Sequence, residues 1–319
     1  MSRKVIIGAA GFIGFHLAKS FLDDGDSDVI LIDNFVNSKQ DECFNQLTKL
    51  TRCTFFNIDA KNVDEVGRLI RKEDIVFNLA AINGTKQFYD IPHTVLSETS
   101  IPSILIPEIC AKNKVGLYVY FGSSESYAGG VSLGITKIPT KESVPLVVSD
   151  VNNPRWSYAV AKTVGEIATI SANLQYGLSY QILRIHNFYG PRMGTNHVIP
   201  DLIEKFSAQN YRVSGCDQSR TFLYIDDGIK YIKSLSKNHK SHNQVINIGS
   251  QYEIKIRDLA EMIMGEFNVH GVIQCEASPE GSVDRRVPDL TKLHTYVKLS
   301  EATLGSGITT TVNWYKENE

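Results

Sequence analysis

Short apolar runs alternate with helix-length segments from the beginning of the chain to Ile185. The runs are rich in β-branched and aromatic residues: KVIIG (4–8), DVILID (28–33), CTFFNI (53–58), DIVFNLA (74–80), GLYVYFG (116–122) and YQILRI (180–185). Runs that are apolar throughout mark strands buried on both faces, and their alternation with helices favours right-handed βαβ units. The pattern therefore predicts an α/β fold with a doubly wound parallel sheet.

Beyond Ile185 this rhythm is lost, and glycine and proline become frequent. We interpret this part as a smaller α/β lobe, with VINIG (245–249) returning to the sheet. The predicted sheet domain covers residues 1–186 and also about 226–265. The predicted second lobe covers residues 187–225 and 266–319.

Composition narrows the classes of partner. The 319 residues include 33 basic and 35 acidic side chains, a net charge of −2, with no long run of either sign to attract nucleic acid. No segment reaches the roughly 20 apolar residues that a membrane span needs. The five cysteines are scattered without a C-x-x-C pair, so we predict no disulfide framework, no metal site and a reducing, cytoplasmic location.

Glycines follow the first predicted strand at a spacing that suits a dinucleotide. Gly8, Gly11 and Gly14 permit a tight turn, and the helix after them offers free N–H groups to a pyrophosphate. Asp33 ends the second strand, where its carboxylate can accept from both ribose hydroxyls and disfavours a 2′-phosphate. The sequence thus favours NAD over NADP, although Asp33 could also be a simple turn residue. Asp59 is a candidate for the adenine amino group or an ordinary strand-end aspartate.

The stretch PRWSYAVAK predicts a helix that begins near Pro154. Tyr158 and Lys162 lie one turn apart on that helix, so phenol and ammonium share a face. The alternative is a structural one: Tyr158 would be a half-buried phenol, and the Lys162 side chain would lie beside it along the protein surface with its ammonium in solvent.

Several motifs in order resemble those of the extended short-chain dehydrogenase/reductase family, in particular its NAD-dependent nucleotide-sugar epimerases, dehydratases and decarboxylases. The motifs are the three glycines, Asp33, NLAA (78–81), SSESY (123–127), Tyr158-x-x-x-Lys162, LRIHNFYGPRM (183–193), RTFLYIDD (220–227) and RRVPD (285–289). The resemblance implies a Rossmann domain, a lyase or isomerase, a nucleoside-diphosphate sugar as partner, and a homodimer. Its dimer interface would use a helix beginning near Ile101 and the helix of Tyr158.

The resemblance also implies site residues. Cofactor contacts are expected from Gly8, Gly11, Phe12, Ile13, Gly14, Asp33, Asn34, Asp59, Ala60, Leu79, Ala80, Ala81, Tyr158 and Lys162. Substrate contacts are expected from Thr85, Ser124, Asn187, Arg192, Arg220, Arg285 and Arg286, because the arginine fork suits a diphosphate.

By the same resemblance, Tyr158 removes the proton of the sugar C4 hydroxyl, with Ser123 bound to the same oxygen. Lys162 is expected to lower the pKa of Tyr158 and to bind the nicotinamide ribose. A non-catalytic NAD-sensing protein is a remote alternative, since fold does not dictate function.

Glu125 bears on the chemical step after oxidation. A carboxylate there can handle the C5 proton or assist loss at C6, as in 4,6-dehydratases and uronic-acid decarboxylases. Dehydratases usually have an acidic residue where this chain has Ser124. A 4-epimerase, which does not need Glu125, is the alternative. Ile7, Ala9 and Thr99 depart from the family pattern.

Overall fold

A computed structural model describes residues 2–25, 27–267, 269, 271–278 and 282–318. The chain forms two compact units. Unit 1 comprises Met1–Ser126, Asp150–Arg184 and Ile229–Ile246, and unit 2 comprises Tyr127–Ser149, Ile185–Gly228 and Asn247–Glu319.

Strands and helices are numbered separately in chain order. The strands are β1 (Lys4–Ile7), β2 (Val29–Asp33), β3 (Cys53–Asn57), β4 (Ile75–Asn78), β5 (Leu117–Ser123), β6 (Tyr180–Ile185), β7 (Phe188–Tyr189), β8 (Arg212–Ser214), β9 (Ser219–Thr221), β10 (Leu223–Tyr224), β11 (Gln244–Ile248), β12 (Glu253–Lys255), β13 (Gln274–Glu276) and β14 (Arg285–Arg286). The helices are α1 (Phe12–Asp24), α2 (Glu42–Thr48), α3 (Val63–Leu69), α4 (Thr85–Asp90), α5 (Pro92–Lys112), α6 (Ala128–Ser132), α7 (Trp156–Tyr176), α8 (Val198–Ser207), α9 (Ile225–Lys237), α10 (Ile256–Phe267), α11 (Thr291–Tyr296) and α12 (Leu304–Asn318). Short 3₁₀ turns cover Ser124–Tyr127 and His239–Ser241.

The main sheet confirms the predicted fold. Its strand order is β11-β6-β5-β4-β1-β2-β3, and the pairs from β3 to β5 are parallel. Every residue of β1, β2 and β5 is buried, as uniformly apolar runs require. The order reverses between β1 and β4, where ligands bind in open sheets of this kind. VINIG returns to the sheet as β11, as predicted.

Unit 2 contains small sheets around an apolar core. Strand β9 pairs with β12 in antiparallel and with β14 in parallel orientation, and β8 pairs in parallel with β13. Buried side chains from α8, α10 and α12, among them Leu202, Leu259 and Val312, form the core. The packing of the three helices is stabilised by the burial of these apolar faces.

The two largest differences between the units and the predicted ranges concern residues 127–149 and 247–265. Residues 127–149 group with unit 2, where Thr140 bridges to Pro288 and accepts a hydrogen bond from Asn247. Residues 247–265 also group with unit 2, because β12 pairs with β9 and α10 packs on α8 and α12. The predicted roles of the two regions in cofactor and nucleotide-sugar binding remain predictions.

One cysteine pair corrects the sequence prediction. Cys216 and Cys275 form a disulfide across a sequence separation of 59 residues. The parallel pairing of β8 with β13 brings them together, and no local spacing signal announces such a pairing. Cys43, Cys53 and Cys110 are free thiols.

The described helices include none with the length and apolar character to cross a membrane.

Candidate active site

The turn after β1 packs backbone directly against backbone. Gly8 has a φ of +84°, and a Cβ placed there would lie 2.9 Å from the amide nitrogen of Ala80. A Cβ at Gly14 would lie 2.2 Å from the carbonyl oxygen of Gly8. Only glycine permits these approaches, and they set the turn at the start of α1, whose first two residues are Phe12 and Ile13.

Asp33 is held from three sides at the end of β2. Its carboxylate accepts from the amide of Ala10 at 2.9 Å, the amide of Phe35 at 2.8 Å and the hydroxyl of Ser38 at 2.9 Å. Three donors fix the position of a buried carboxylate and stabilise its charge. Asp33 therefore presents a rigid acceptor beside the glycine turn.

A cleft with about 600 Å³ of empty space opens at this edge of unit 1. Its lining includes the predicted residues Gly8, Gly11, Asp33, Asn34, Asp59, Ala60, Leu79, Ala80 and Ala81. The sequence did not indicate Ser38, Ile58 or Glu98, which also line it. Glycine backbone, an apolar wall and a fixed carboxylate fit a pyrophosphate, an adenine and a ribose diol respectively, so the residues fit NAD.

At the far wall of the cleft, Asp59 accepts from the amide of Lys61 at 2.8 Å. The ammonium of Lys61 forms an ion pair with Glu98 of α5 and lies 3.5 Å from Asp59. The pKa of Lys61 is raised above its usual value, chiefly by the hydrogen bond to Glu98. Glu98 comes from a helix far along the chain, so spacing around Asp59 could not reveal it.

Tyr158 and Lys162 lie on the same face of α7, as predicted, and both are buried. The ring of Phe88 stacks on the ring of Tyr158 with centroids 4.9 Å apart. The side chain of Ser123, at the end of β5, acts on the Tyr158 hydroxyl and lowers its pKa. Lys162 Nζ donates to the carbonyl of Phe121 at 2.8 Å. These side chains thus form one cluster in unit 1.

The expected lowering of the Tyr158 pKa does not occur in this structure. Burial raises the pKa of Tyr158 above its usual value, and the effect of Ser123 only partly offsets this. Burial also lowers the pKa of Lys162 to about 7, against a smaller upward effect of Glu166. Desolvation thus disfavours both charged forms, the phenolate of Tyr158 and the ammonium of Lys162.

Glu125 has a charged partner that the sequence prediction missed. Its carboxylate lies 3.0 Å from the Arg155 guanidinium, and both side chains are mostly buried, with exposed fractions of 17% and 8%. The amide of Glu125 donates to the Ser123 hydroxyl at 3.2 Å. Burial lowers the pKa of Arg155, but Glu125 and Tyr89 of α4 act in the opposite direction. The pKa of Arg155 is raised as a result. Arg155 stands three residues before Tyr158, so helix phase could have placed it on this side.

Two other predicted residues flank this cluster. Ser124 is buried in the 3₁₀ turn after β5. Thr85 is exposed as the first residue of α4, the helix that carries Phe88. Thr99 stands where the family pattern favours asparagine. Its hydroxyl accepts a hydrogen bond from the amide of Ile82 at 3.2 Å and so helps to hold the loop before α4.

The predicted arginines of unit 2 share a small sheet. Arg220 on β9 stands in register with Arg286 on β14, next to Arg285. Arg220 donates to the carbonyls of Val283 at 2.6 Å and Asp284 at 3.1 Å. Arg285 makes two hydrogen bonds to Glu253, at 2.7 and 2.8 Å, and remains 48% exposed.

Asn187 lies on the connection after β6, and Arg192 lies on the connection between β7 and α8. Both have positive φ, +40° and +65°, which is uncommon for residues with side chains. The Asn187 amide donates to the carbonyl of Thr221 at 2.9 Å, tying this connection to β9. Strained backbone of this kind often accompanies ligand sites.

Histidine, cysteine, aspartate and glutamate do not gather into a group able to hold a metal ion anywhere in the described residues.

Comparison with known proteins settles the family. The sequence model of the NAD dependent epimerase/dehydratase family matches residues 5–249. The chain belongs to this family. It is 30% identical to the UDP-N-acetyl-alpha-D-glucosaminuronate decarboxylase of Bacillus cytotoxicus, over 99% of this chain and 98% of that protein. It is 27% identical to UDP-D-apiose/UDP-D-xylose synthase 1 of Arabidopsis thaliana, over 90% of this chain and 84% of the relative.

Among solved structures, a UDP-glucuronic acid 4-epimerase from Bacillus cereus, crystallised in complex with UDP-glucuronic acid and NAD, is similar with a TM-score of 0.89. The alignment covers 99% of this chain and 100% of that one at 23% identity, a likeness of fold. Family membership confirms the NAD cofactor and the predicted class of enzyme, an NAD-dependent epimerase or dehydratase. The similar structure confirms the predicted fold.

Proposed function

We propose that the protein oxidises a nucleoside-diphosphate sugar transiently at C4 and then carries out chemistry at C5 or C6, with decarboxylation of a uronic acid as the favoured outcome. The observation that carries this proposal is the Glu125–Arg155 pair beside Ser123. A 4-epimerase has no need for a carboxylate fixed at this place. Ser124, where dehydratases usually have an acid, and the decarboxylase relative favour loss of carbon dioxide over loss of water.

When bound, NAD⁺ supplies the acceptor for the C4 hydride. Gly8, Gly11 and the start of α1 would hold its pyrophosphate, and Asp33 its adenosine ribose. Because Asp33 would repel a 2′-phosphate, we expect tighter binding of NAD⁺ than of NADP⁺.

Tyr158 takes the proton of the C4 hydroxyl, and Ser123 hydrogen-bonds the same oxygen. Ser123 acts on the Tyr158 hydroxyl, so the two side chains are near enough for one substrate oxygen to contact both. Lys162, in its protonated form, favours the phenolate by its positive charge and so opposes the effect of burial on Tyr158.

The 4-keto group then makes C5 acidic and allows a C6 carboxylate to leave as carbon dioxide. The electron pair of the broken bond moves toward the C4 oxygen, which Ser123 and Tyr158 hold. Decarboxylation leaves an enolate that must gain a proton at C5, whereas dehydration removes the C5 proton. Arg155 keeps the Glu125 side chain oriented, and Glu125 transfers this proton, to C5 in the first case and from C5 in the second. Asn187, Arg220 and one of Arg285 or Arg286 bind the diphosphate, with Thr85, Ser124 and Arg192 as further substrate contacts.

Glu125→Gln tests the proposal, with Tyr158→Phe as the matched control. The Gln variant should still bind NAD⁺ and oxidise C4, while the later step slows by roughly 10²-fold or more, the usual contribution of a positioned acid or base. NADH absorbance should therefore accumulate on addition of a UDP-uronic acid. Tyr158→Phe should show no NADH with any nucleotide sugar.

Product masses decide between the chemistries. Loss of carbon dioxide supports decarboxylation, and loss of water would instead indicate a 4,6-dehydratase. If Glu125→Gln turns over normally and the product keeps the substrate mass, the enzyme is a 4-epimerase and the role given to Glu125 is wrong.

We further propose a homodimer formed through α5 and α7, which pack against each other within unit 1. Large apolar side chains remain exposed on both helices, among them Ile101 and Ile104 on α5 and Ile167 and Leu174 on α7. Such exposure on adjacent helices is typical of an interface. Light scattering at micromolar concentration should give the mass of a dimer, and a monomeric mass contradicts the proposal.

The cytoplasmic location also remains a proposal. Free thiols at Cys43, Cys53 and Cys110 support it, whereas the Cys216–Cys275 disulfide is unusual for that compartment. Fractionation of cells that produce the protein would test it directly.

A further inference from the structure

A buried ion pair lies one helical turn beyond Lys162 on α7. Arg184 of β6 donates to both carboxylate oxygens of Glu166, at 2.9 and 2.6 Å. Glu166 is 3% exposed and Arg184 is 4% exposed. Desolvation makes such a pair costly, so its presence beside a reactive pair calls for a reason.

Glu166 and Lys162 converge on neighbouring residues of β5. Lys162 Nζ donates to the carbonyl of Phe121 at 2.8 Å. At the next residue, Gly122, an added Cβ would lie 2.8 Å from a carboxylate oxygen of Glu166. The Lys162 ammonium and the Glu166 carboxylate therefore approach consecutive residues of β5. The carboxylate fits there because Gly122 has no side chain.

Other charged and titratable groups surround the pair. Tyr120 of β5 has its ring 5.3 Å from Lys162 Nζ, and the ring of Tyr158 is 5.7 Å away. Glu125 acts on Tyr158 from the 3₁₀ turn, and Arg184 stands behind Glu166 on β6. From α5, Ser103 contributes a neutral hydroxyl to Tyr120. Glu166 is the carboxylate that acts electrostatically on Lys162, and it favours the charged ammonium.

We propose that Glu166, held by Arg184, is a positioning residue that determines which member of the Tyr158–Lys162 pair gives up a proton. This inference rests on the proposed function of Tyr158 as base. Loss of one proton from the pair yields either phenolate with ammonium or phenol with neutral amine, and the two forms have the same net charge. Only the first can accept a proton from a sugar hydroxyl. The anion of Glu166, one helical turn beyond Lys162, acts electrostatically on the amine and so favours the first form.

The direction of the effect follows from charge. Without the Glu166 anion, the buried ammonium of Lys162 becomes harder to keep, and the inactive form with neutral amine increases. Removal of a unit charge one helical turn away changes the Lys162 pKa by roughly one unit. This corresponds to about a tenfold change in the ratio of the ammonium to the neutral amine. Below the lower of the two Lys162 pKa values, that of Glu166→Gln, both proteins keep the ammonium, and their rates converge. Above it, the variant falls behind.

Glu166→Gln is the test variant, and Asp74→Asn is the matched control. Asp74 forms a comparable two-bond ion pair with Arg3 in the same unit, at 2.6 and 3.1 Å, so its loss reproduces the general cost of breaking such a pair. The double variant Glu166→Gln with Arg184→Gln removes both charges. The double variant replaces Glu166→Gln if the unpaired Arg184 prevents that variant from folding. The Lys162 titration midpoint should shift in the same direction in both. Circular dichroism and thermal melting verify the fold of each variant.

The direct readout needs neither substrate nor cofactor. NMR of isotope-labelled lysine, with Lys162→Arg to assign the signal, follows the Lys162 titration. The midpoint should be near neutral pH in the wild type and about one pH unit lower in Glu166→Gln. Asp74→Asn should leave it unchanged. An unchanged midpoint in Glu166→Gln overturns the proposal.

The kinetic readout is the ratio of wild-type to variant kcat across pH, with KM unchanged. The ratio should approach one in acid and rise to about tenfold above neutrality. A constant ratio at all pH values indicates a purely structural role and overturns the proposal. If Tyr158→Phe retains full activity, the proposed function fails instead, while the NMR result still reports on Glu166.

Discussion

The cofactor cleft of unit 1 and the arginine sheet of unit 2 are built in different ways. In the cleft, backbone geometry shapes most of the site, since the turn at Gly8 touches Ala80 directly and three donors fix Asp33. In the arginine sheet, the candidate ligand groups are long side chains already bound to the protein. Arg220 is tied to backbone carbonyls, and Arg285 is bound by Glu253. A site made of backbone is ready before its ligand arrives, whereas a site made of engaged side chains must exchange partners.

The largest effect is expected where backbone leaves no room for change. Gly14→Ala places a Cβ 2.2 Å from the Gly8 carbonyl, so the turn must move and NAD⁺ affinity should fall by roughly 10²-fold or more. Gly265→Ala on α10 is the matched control, because a Cβ there would have no heavy atom within 4 Å. Calorimetry with NAD⁺ should show a much smaller loss there. Equal losses in both variants would show that close approach at Gly14 is not what shapes the turn.

A smaller effect is expected in unit 2, and it should separate two kinds of arginine. Arg285→Ala removes an exposed side chain, so KM for the nucleotide sugar should rise by roughly tenfold with little change in melting temperature. Arg220→Ala removes hydrogen bonds to Val283 and Asp284 as well, and should raise KM and also lower the melting temperature. If Arg285→Ala leaves KM unchanged, Arg286 becomes the better candidate for the diphosphate.

The smallest effect on ligand binding is expected from the covalent link in unit 2. Cys275→Ser opens a disulfide that closes a loop of 59 residues, and should cost about 2–4 kcal/mol, or a few degrees in melting temperature. NAD⁺ affinity should stay unchanged, because the cleft belongs to unit 1. A loss of NAD⁺ affinity would contradict the separate construction of the two regions. Thiol alkylation with and without reductant verifies the bond itself.

The same contrast explains how far the sequence could be interpreted. Uniformly apolar runs predicted the strands β1 to β6, and β11 as well, because burial on both faces leaves a signature in each run. Glycine spacing and Tyr158-x-x-x-Lys162 predicted local geometry over a single turn.

Long-range partners left no such signature. The pairing of Glu125 with Arg155 spans 30 residues, and that of Lys61 with Glu98 spans 37. Cys216 meets Cys275 through a strand pair of three residues each, too short to stand out in the sequence. The pKa of Tyr158 was mispredicted for a related reason. Its burial beneath Phe88 is a tertiary property, while the charge of Lys162 is visible from spacing alone.

The stack of Phe88 on Tyr158 has a consequence for directed evolution. Phe88 belongs to α4, a six-residue helix in the connection after β4, and not to the sheet. The rotamer of Tyr158, the residue that we propose as the base, is therefore supported by a segment that an engineer would randomise to admit larger sugars. Libraries across α4 should trade turnover against substrate range at Phe88, whereas libraries that keep an aromatic ring at this position should retain turnover.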